Sequence, residues 1–139
     1  MGDNGWYDID IRIRYKDTDR MGVVYYGNYL TFFEVGRTEF MRSRGIRYVD
    51  LEALGYSLAV VETGAKYHGN VGYDALVTVR TRITQRGKAR LGFDYEVFDQ
   101  NGSLLVRGFT VHAFLDSNGK VAKIPERVLE VIKQEEAPC

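Results

Sequence analysis

Tyr15 to Arg44 reads YKDTDRMGVVYYGNYLTFFEVGRTEFMRSR, and the fold turns on how this stretch is read. It opens with Asp17 and Asp19 in a turn, passes Gly22, Tyr25, Tyr26, Gly27 and Tyr29, and runs into the longest helical pattern of the chain. Leu30, Phe33, Arg37, Phe40, Met41 and Arg44 recur at helical spacing, Phe32 and Gly36 broaden the apolar side, and Gly45 stands where a helix C-cap is expected. Gly36 costs about 1 kcal/mol relative to alanine inside a helix, so it marks a close approach to a sheet or to a neighbouring chain. A turn that delivers a carboxylate beside a helix start is a place where chemistry can be arranged. Unpaired backbone N–H groups and the helix dipole both favour developing negative charge there.

Upstream, Tyr7, Ile9, Ile11, Ile13 and Tyr15 alternate with charged residues, the period of a half-buried strand. Downstream, a short helix over Tyr48–Leu54 ends at Gly55, and strands follow over Ser57–Tyr67, Ala75–Gln85, Leu91–Val97 and Leu104–Asp116. Asn101-Gly102 and Asp116–Gly119 are tight-turn signals, so consecutive strands are expected as an antiparallel meander. Pro125 opens a terminal helix carrying Val128, Leu129 and Ile132. The expected class is α+β, one helix lying on a curled antiparallel sheet of about five strands. Tyr, Phe and Val left on the sheet's outer face suggest cover by another subunit.

The 139 residues suit one domain, with a core over about 6–133 and a polar C-terminal tail. Nineteen Lys plus Arg balance nineteen Asp plus Glu, which gives no overall excess to draw a nucleic acid or an anionic membrane. Cys139 has no intramolecular partner, so neither a disulfide framework nor a Cys-x-x-Cys metal clip is expected, and a reducing, cytoplasmic setting fits. The first residues lack a basic region followed by an apolar run, and no window is long enough to span a bilayer. No integral membrane contact is expected.

Asp17 and Asp19 admit three readings from their surroundings. They are capping carboxylates of a polar turn, an Asp-x-Asp metal site without supporting ligands at a suitable spacing, or a catalytic carboxylate facing the helix start. The third requires Val23–Asn28 to fold back over the aspartates. His68 and His112 each stand alone and are read as structural. Nucleophile-elbow, phosphate-loop and dinucleotide motifs are absent from the sequence.

The run RYKDTDRMGVVYYGNYLTFFEVGRTEFMR resembles the signature of the hotdog-fold acyl-CoA thioesterases of the 4-hydroxybenzoyl-CoA thioesterase family, most closely the branch associated with the Tol-Pal cluster. Tyr15, Asp17, Asp19, Gly22, Val23, Tyr25, Asn28, Tyr29, Phe33, Glu34, Arg37, Thr38 and Glu39 all fall in register with it. The resemblance implies a long central helix wrapped by a curved antiparallel sheet, and a homodimer or homotetramer with active sites between subunits. It also implies hydrolysis of an acyl-CoA to a free acid and coenzyme A, the coenzyme being part of the substrate and no cofactor or metal being needed. Asp19 is the implied nucleophile or general base, and the Tyr26 backbone N–H the implied oxyanion donor. Tyr15, Gly27 and Asn28 are implied substrate contacts, with Arg86, Lys88 and Arg90 at the pocket mouth toward the phosphates of the coenzyme. Many members of that branch carry histidine where this chain has Tyr26, and the usual Tyr-x-Arg-Pro-Ala is replaced by Tyr67-His68-Gly69-Asn70-Val71. The rival reading is a non-catalytic hotdog protein that binds acyl-CoA or acyl-carrier protein. A hotdog dehydratase or isomerase ranks last, since no histidine lies near Asp19 in sequence.

Overall fold

A computed structural model describes residues 5–136; Cys139 and both ends of the expected 1–139 domain lie outside the described residues. Strand β1 (Tyr7–Arg12) leads through a short 3-10 turn at Tyr15–Asp17 to helix α1 (Asn28–Ser43) and helix α2 (Tyr48–Ala53). Strands β2 (Ser57–Tyr67), β3 (Leu76–Gln85), β4 (Arg90–Phe98) and β5 (Leu104–Leu115) follow, and helix α3 (Glu126–Glu136) comes last.

The five strands form one antiparallel sheet in the order β1-β3-β4-β5-β2. The expected meander holds for β3-β4-β5. It fails for β2, which lies on the far edge beside β5, with only eight residues between its end and the start of β3 along the chain but three strands away from it. Turn chemistry specifies only what a short loop joins, and residues 68–75 form a crossing segment, not a tight turn. β1 also ends sooner than its alternation suggests. Ile13 still pairs with Ala75 through its N–H (2.8 Å), after which Arg14 donates its N–H to the Asp17 carboxylate (2.8 Å) and the chain turns.

α1 packs against β3 through Tyr29, Phe32, Phe33, Gly36, Phe40 and Met41, all buried. Leu30, expected on this stripe, is instead 42% exposed, and the buried position is Tyr29. The helix therefore sits rotated by one residue at its start. Phe33 stacks on Tyr95 at 4.2 Å between ring centroids, and Phe40 meets Phe93 edge-on at 6.2 Å. The C-terminus closes as expected, with Gly45 at φ +84°. Its N–H reaches the Arg42 carbonyl (3.0 Å) and the Ile46 N–H reaches that of Met41 (2.9 Å), the paired bonds that satisfy a helix's last carbonyls. Arg44 then forks onto Glu135 of α3 (2.9 and 2.8 Å) while lying over the Phe40 ring.

The Tyr, Phe and Val expected outside the sheet are mostly inside. Val77, Val79, Phe93, Tyr95 and Val97 are fully buried under the helices. The opposite face carries cross-strand ion pairs, Asp8–Arg80 (2.9 Å), Arg82–Asp94 (3.1 Å) and Arg107–Glu96 (3.0 Å), and it bears Phe109 as well.

Gly36 behaves as a contact residue. A Cβ placed on it would lie 2.5 Å from Thr81 Oγ1 and 3.1 Å from a Val79 methyl, both on β3. Thr81 is fully buried and has no room to withdraw. Gly36→Ala gains about 1 kcal/mol of helix propensity and loses ~1–3 kcal/mol to overpacking, so its urea midpoint falls below that of the parent. An unchanged or higher midpoint contradicts this seating of α1.

Candidate functional site

The chain between β1 and α1 folds back on itself. Thr18 and Val24 form an antiparallel bridge, the Asp19 N–H reaches the Val23 carbonyl (2.9 Å), and the Asp17 carbonyl accepts both the Tyr25 N–H (3.0 Å) and the Asn28 side-chain amide (2.8 Å). This is the return of Val23–Asn28 over the aspartates that a catalytic reading requires; it ties Asp19 to Val23, and Asp17 to Tyr25 and to Asn28, the first residue of α1.

The two aspartates do different work. Asp17 is 7% exposed, and its carboxylate is taken up by the Arg14 N–H and by Lys16 at 3.4 Å. Asp19 is exposed and closes a turn with Gly22 at φ +80°, its Oδ1 accepting the Met21 N–H (2.8 Å). Its second oxygen has no partner among the described residues. Capping is thus a property of both carboxylates, and only Asp19 keeps an oxygen open to solvent.

Tyr26 and Gly27 immediately precede α1, and their N–H groups donate to no acceptor among the described residues. These are the unsatisfied donors every helix start exposes. The Gly27 backbone carries the Tyr25 ring, which a Cβ there would meet at 2.8 Å. The Tyr25 phenol is raised above its ordinary value, first by a hydrogen bond with Tyr26 and then by nearby charges that include Asp19. The Tyr26 ring is 61% exposed and packs between Tyr25 (4.8 Å) and Tyr67 (5.9 Å). Tyr15 is exposed and meets Tyr73 edge-on at 5.8 Å.

One part of the expected set stands apart. Arg86, Lys88 and Arg90 lie in the hairpin between β3 and β4, whereas the Asp17–Asp19 turn borders the Leu76 end of β3. The length of β3 separates them, about 30 Å at the usual strand rise. Arg86 is moreover engaged with Asp94 at 3.7 Å. Within one chain the basic hairpin does not approach Asp19. Among the described residues there is no cluster of three or more His, Cys, Asp or Glu able to hold a metal ion, and no helix is long and apolar enough to cross a membrane.

A residue that the sequence reading treated only as a departure holds the site together. Asn70 donates to the Val24 carbonyl (2.9 Å) and accepts from the Tyr29 hydroxyl (2.6 Å) and the Val71 N–H (2.9 Å). Burial pushes the Tyr29 phenol up to about 12. The segment 68–72 is thereby locked to the fold-back. Local pattern offered no signal for this, because the partners are more than forty positions apart. Asn70→Ala leaves the buried Tyr29 hydroxyl unpaired, which costs ~1–3 kcal/mol. Chemical denaturation is expected to show that loss, and Tyr29→Phe combined with it should recover part.

Comparison with known proteins places this geometry. The family model for the thioesterase-like superfamily matches residues 13–132. The acyl-CoA thioester hydrolase YbgC of Escherichia coli O6:H1 is 26% identical over 125 residues, covering 89% of this chain and 93% of that protein. Among solved structures, TT1821 of Thermus thermophilus is 32% identical with a TM-score of 0.87, covering 96% of this chain and 99% of the other. A DHNA-CoA thioesterase of Staphylococcus aureus is 28% identical with a TM-score of 0.87, covering 93% and 89%. A match running from the last residue of the β1 pairing to the buried end of α3 takes in the fold-back, α1 and the whole remaining sheet, and so this chain belongs to the thioesterase-like, hotdog superfamily.

Proposed function

We propose that this protein hydrolyses an acyl-CoA thioester to a carboxylic acid and coenzyme A, and that within the superfamily it sits with the 4-hydroxybenzoyl-CoA thioesterases, nearest the Tol-Pal-associated branch. The observation that carries the reading is one juxtaposition. Among the described residues Asp19 keeps an unpaired carboxylate oxygen in the same fold-back whose last residues, Tyr26 and Gly27, carry unpaired N–H groups into the start of α1. Relatives named as thioester hydrolases support it.

In this mechanism the thioester carbonyl lies against the start of α1 with its oxygen toward the Tyr26 N–H. Asp19 attacks the carbonyl carbon or takes a proton from an attacking water. Negative charge develops on the carbonyl oxygen, and donors already fixed in place stabilise it without reorganising. The thiolate of coenzyme A departs readily, so a strong general acid is dispensable. Gly27 and Asn28 are assigned to the approach, Asn28 being held by the Asp17 carbonyl, and the exposed Tyr15 to a substrate contact.

Completion of the site calls for a second copy of the chain. β2 is an edge strand of eleven residues with Val60 and Val61 about half exposed, a long unpaired edge of the kind that seeks another strand. Pairing of β2 with β2 in a homodimer, and of dimers in a homotetramer, offers the route by which Arg86, Lys88 and Arg90 of another subunit come to the coenzyme's phosphates. The proposal covers residues 1–139 as one domain working in the cytoplasm.

Asp19→Asn keeps the side-chain oxygen that caps Met21, so the variant should fold and assemble as the parent does while thiol release from its best acyl-CoA falls ~10²-fold or more. Calorimetric binding of the same substrate should persist. A variant that retains full turnover defeats the mechanism, and binding without turnover in the parent favours the acyl-CoA-binding alternative. Light scattering is expected to give the mass of a dimer or tetramer, and Val61→Lys to shift it toward monomer with loss of thiol release. A fully active monomer contradicts the shared site.

A further inference from the structure

The partners of Asn70 fix which way its amide faces. The Val71 N–H, at 2.9 Å, can only donate, and the Val24 carbonyl, at 2.9 Å, can only accept. Oδ1 therefore faces Val71 and Nδ2 faces Val24, and the Tyr29 hydroxyl, 2.6 Å from Oδ1, has to be the donor. One planar side chain thus holds a carbonyl of the fold-back at one end and a side chain of α1 at the other.

It joins the two parts that the proposed reaction needs in register. On one side Val24 bridges to Thr18, and Val23 next to it accepts the Asp19 N–H at 2.9 Å. On the other, Tyr29 is the second residue of α1, and its N–H donates to the Tyr26 carbonyl at 3.2 Å. A path of bonds therefore runs from Asp19 through Val23 and Val24, Asn70 and Tyr29 to Tyr26. The Asp17 carbonyl, which accepts from the Tyr25 N–H and the Asn28 amide, supplies a second path. One link leaves the arm free to pivot about it, and two fix its position.

The segment that bears Asn70 is itself anchored. The Val71 carbonyl accepts the Val24 N–H at 3.0 Å and Gly72 bridges to Val23, so residues 71–72 run alongside the fold-back. A Cβ on Gly72 would come within 2.9 Å of the Gly22 carbonyl, in the turn that Asp19 closes. At the near end of the segment the His68 and Gly69 N–H groups both reach the Leu105 carbonyl of β5, at 2.7 and 3.1 Å. At the far end the Asp74 N–H reaches the Ile13 carbonyl at 3.0 Å, just past β1. Asn70 is therefore a reference point tied to both sides of the sheet.

We infer that Asn70 is a positioning residue for thioester hydrolysis, holding the arm that carries Asp19 in register with the Tyr26 N–H. The inference rests on the thioesterase reading for its reaction and on the three bonds of Asn70 for its geometry. Steady-state kinetics on the best acyl-CoA and urea denaturation, run on the same variants, test it. In Asn70→Ala kcat should fall ~10- to 100-fold while KM stays within about 3-fold of the parent, the signature of misplaced groups and not of a lost substrate contact. Tyr29→Phe cuts the same path but leaves Oδ1 on Val71, so it orphans no buried group and keeps the fold; its kcat should fall ~10-fold or more. In the double variant the urea midpoint recovers part of the loss seen in Asn70→Ala, whereas kcat stays at the level of the less active single variant, because either cut opens the same path. A kcat that recovers with the midpoint, a loss confined to KM, or parental turnover in either single variant overturns the proposal.

Amide hydrogen exchange reads the clamp without turnover. In Tyr29→Phe the Val24 and Tyr25 N–H groups should exchange ~10-fold or more faster than in the parent, measured against the Phe93 N–H in the middle of β4. Unchanged exchange overturns the clamp. A parent that hydrolyses no acyl-CoA removes the thioesterase reading, and exchange alone then decides whether Asn70 holds the arm.

Discussion

One carbonyl oxygen, that of Asp17, organises the region of the candidate site. By accepting from the Tyr25 backbone and from the Asn28 side chain it ties the descending arm of the fold-back to the first residue of α1. The Asp17 carboxylate meanwhile closes the preceding turn on Arg14, so side chain and backbone of one residue brace both sides of the loop. Asp19 is thereby left as the carboxylate with an unused oxygen. Two acidic residues in adjacent turns, chemically alike, acquire different roles because one is saturated and the other is not.

The fold-back needs a fixed base, and close packing supplies it. Gly36 lets α1 rest on Thr81 and Val79, and Gly108 makes room on β5 for the Phe33 ring, to which a Cβ there would come within 2.6 Å. Interiors at this density transmit small displacements instead of absorbing them. The position of the α1 N-terminus relative to the sheet is therefore set by contacts at Phe33 and Gly36, about one and a half to two turns further along the helix. At the other end, the paired closing bonds at Gly45 and Ile46 and the Arg44–Glu135 fork hold α1 against α3.

Sheet order sets how far apart the candidate site groups lie within one chain. With β2 on one edge and the β3-β4 hairpin at the end of the sheet away from Asp19, the basic residues and the carboxylate are separated by a strand's length. The same order leaves the long edge of β2 open, and Ser57 and Leu58 at its start line a cavity between α1, α2 and β5. Inside, Arg37, Tyr95, Thr110 and His112 form a continuous hydrogen-bonded chain that links α1 to β4 and β5.

The sequence by itself determined most of the elements and the turn that carries the candidate carboxylates. Alternation in β3 and β4, the helical spacing from Phe32 to Met41, Gly45 as a cap and the Asp-x-Asp turn ahead of the helix are local patterns, and local sterics and capping decide them. Tertiary structure alone decided the rest. Which aspartate keeps a free oxygen, the exchange of Leu30 for Tyr29 on the buried stripe, the place of β2 beside β5 and the anchoring by Asn70 all depend on residues distant in sequence. The physical reason is that periodicity reports which face of an element is apolar, whereas hydrogen-bond satisfaction depends on which groups the folded chain brings within about 3 Å of one another.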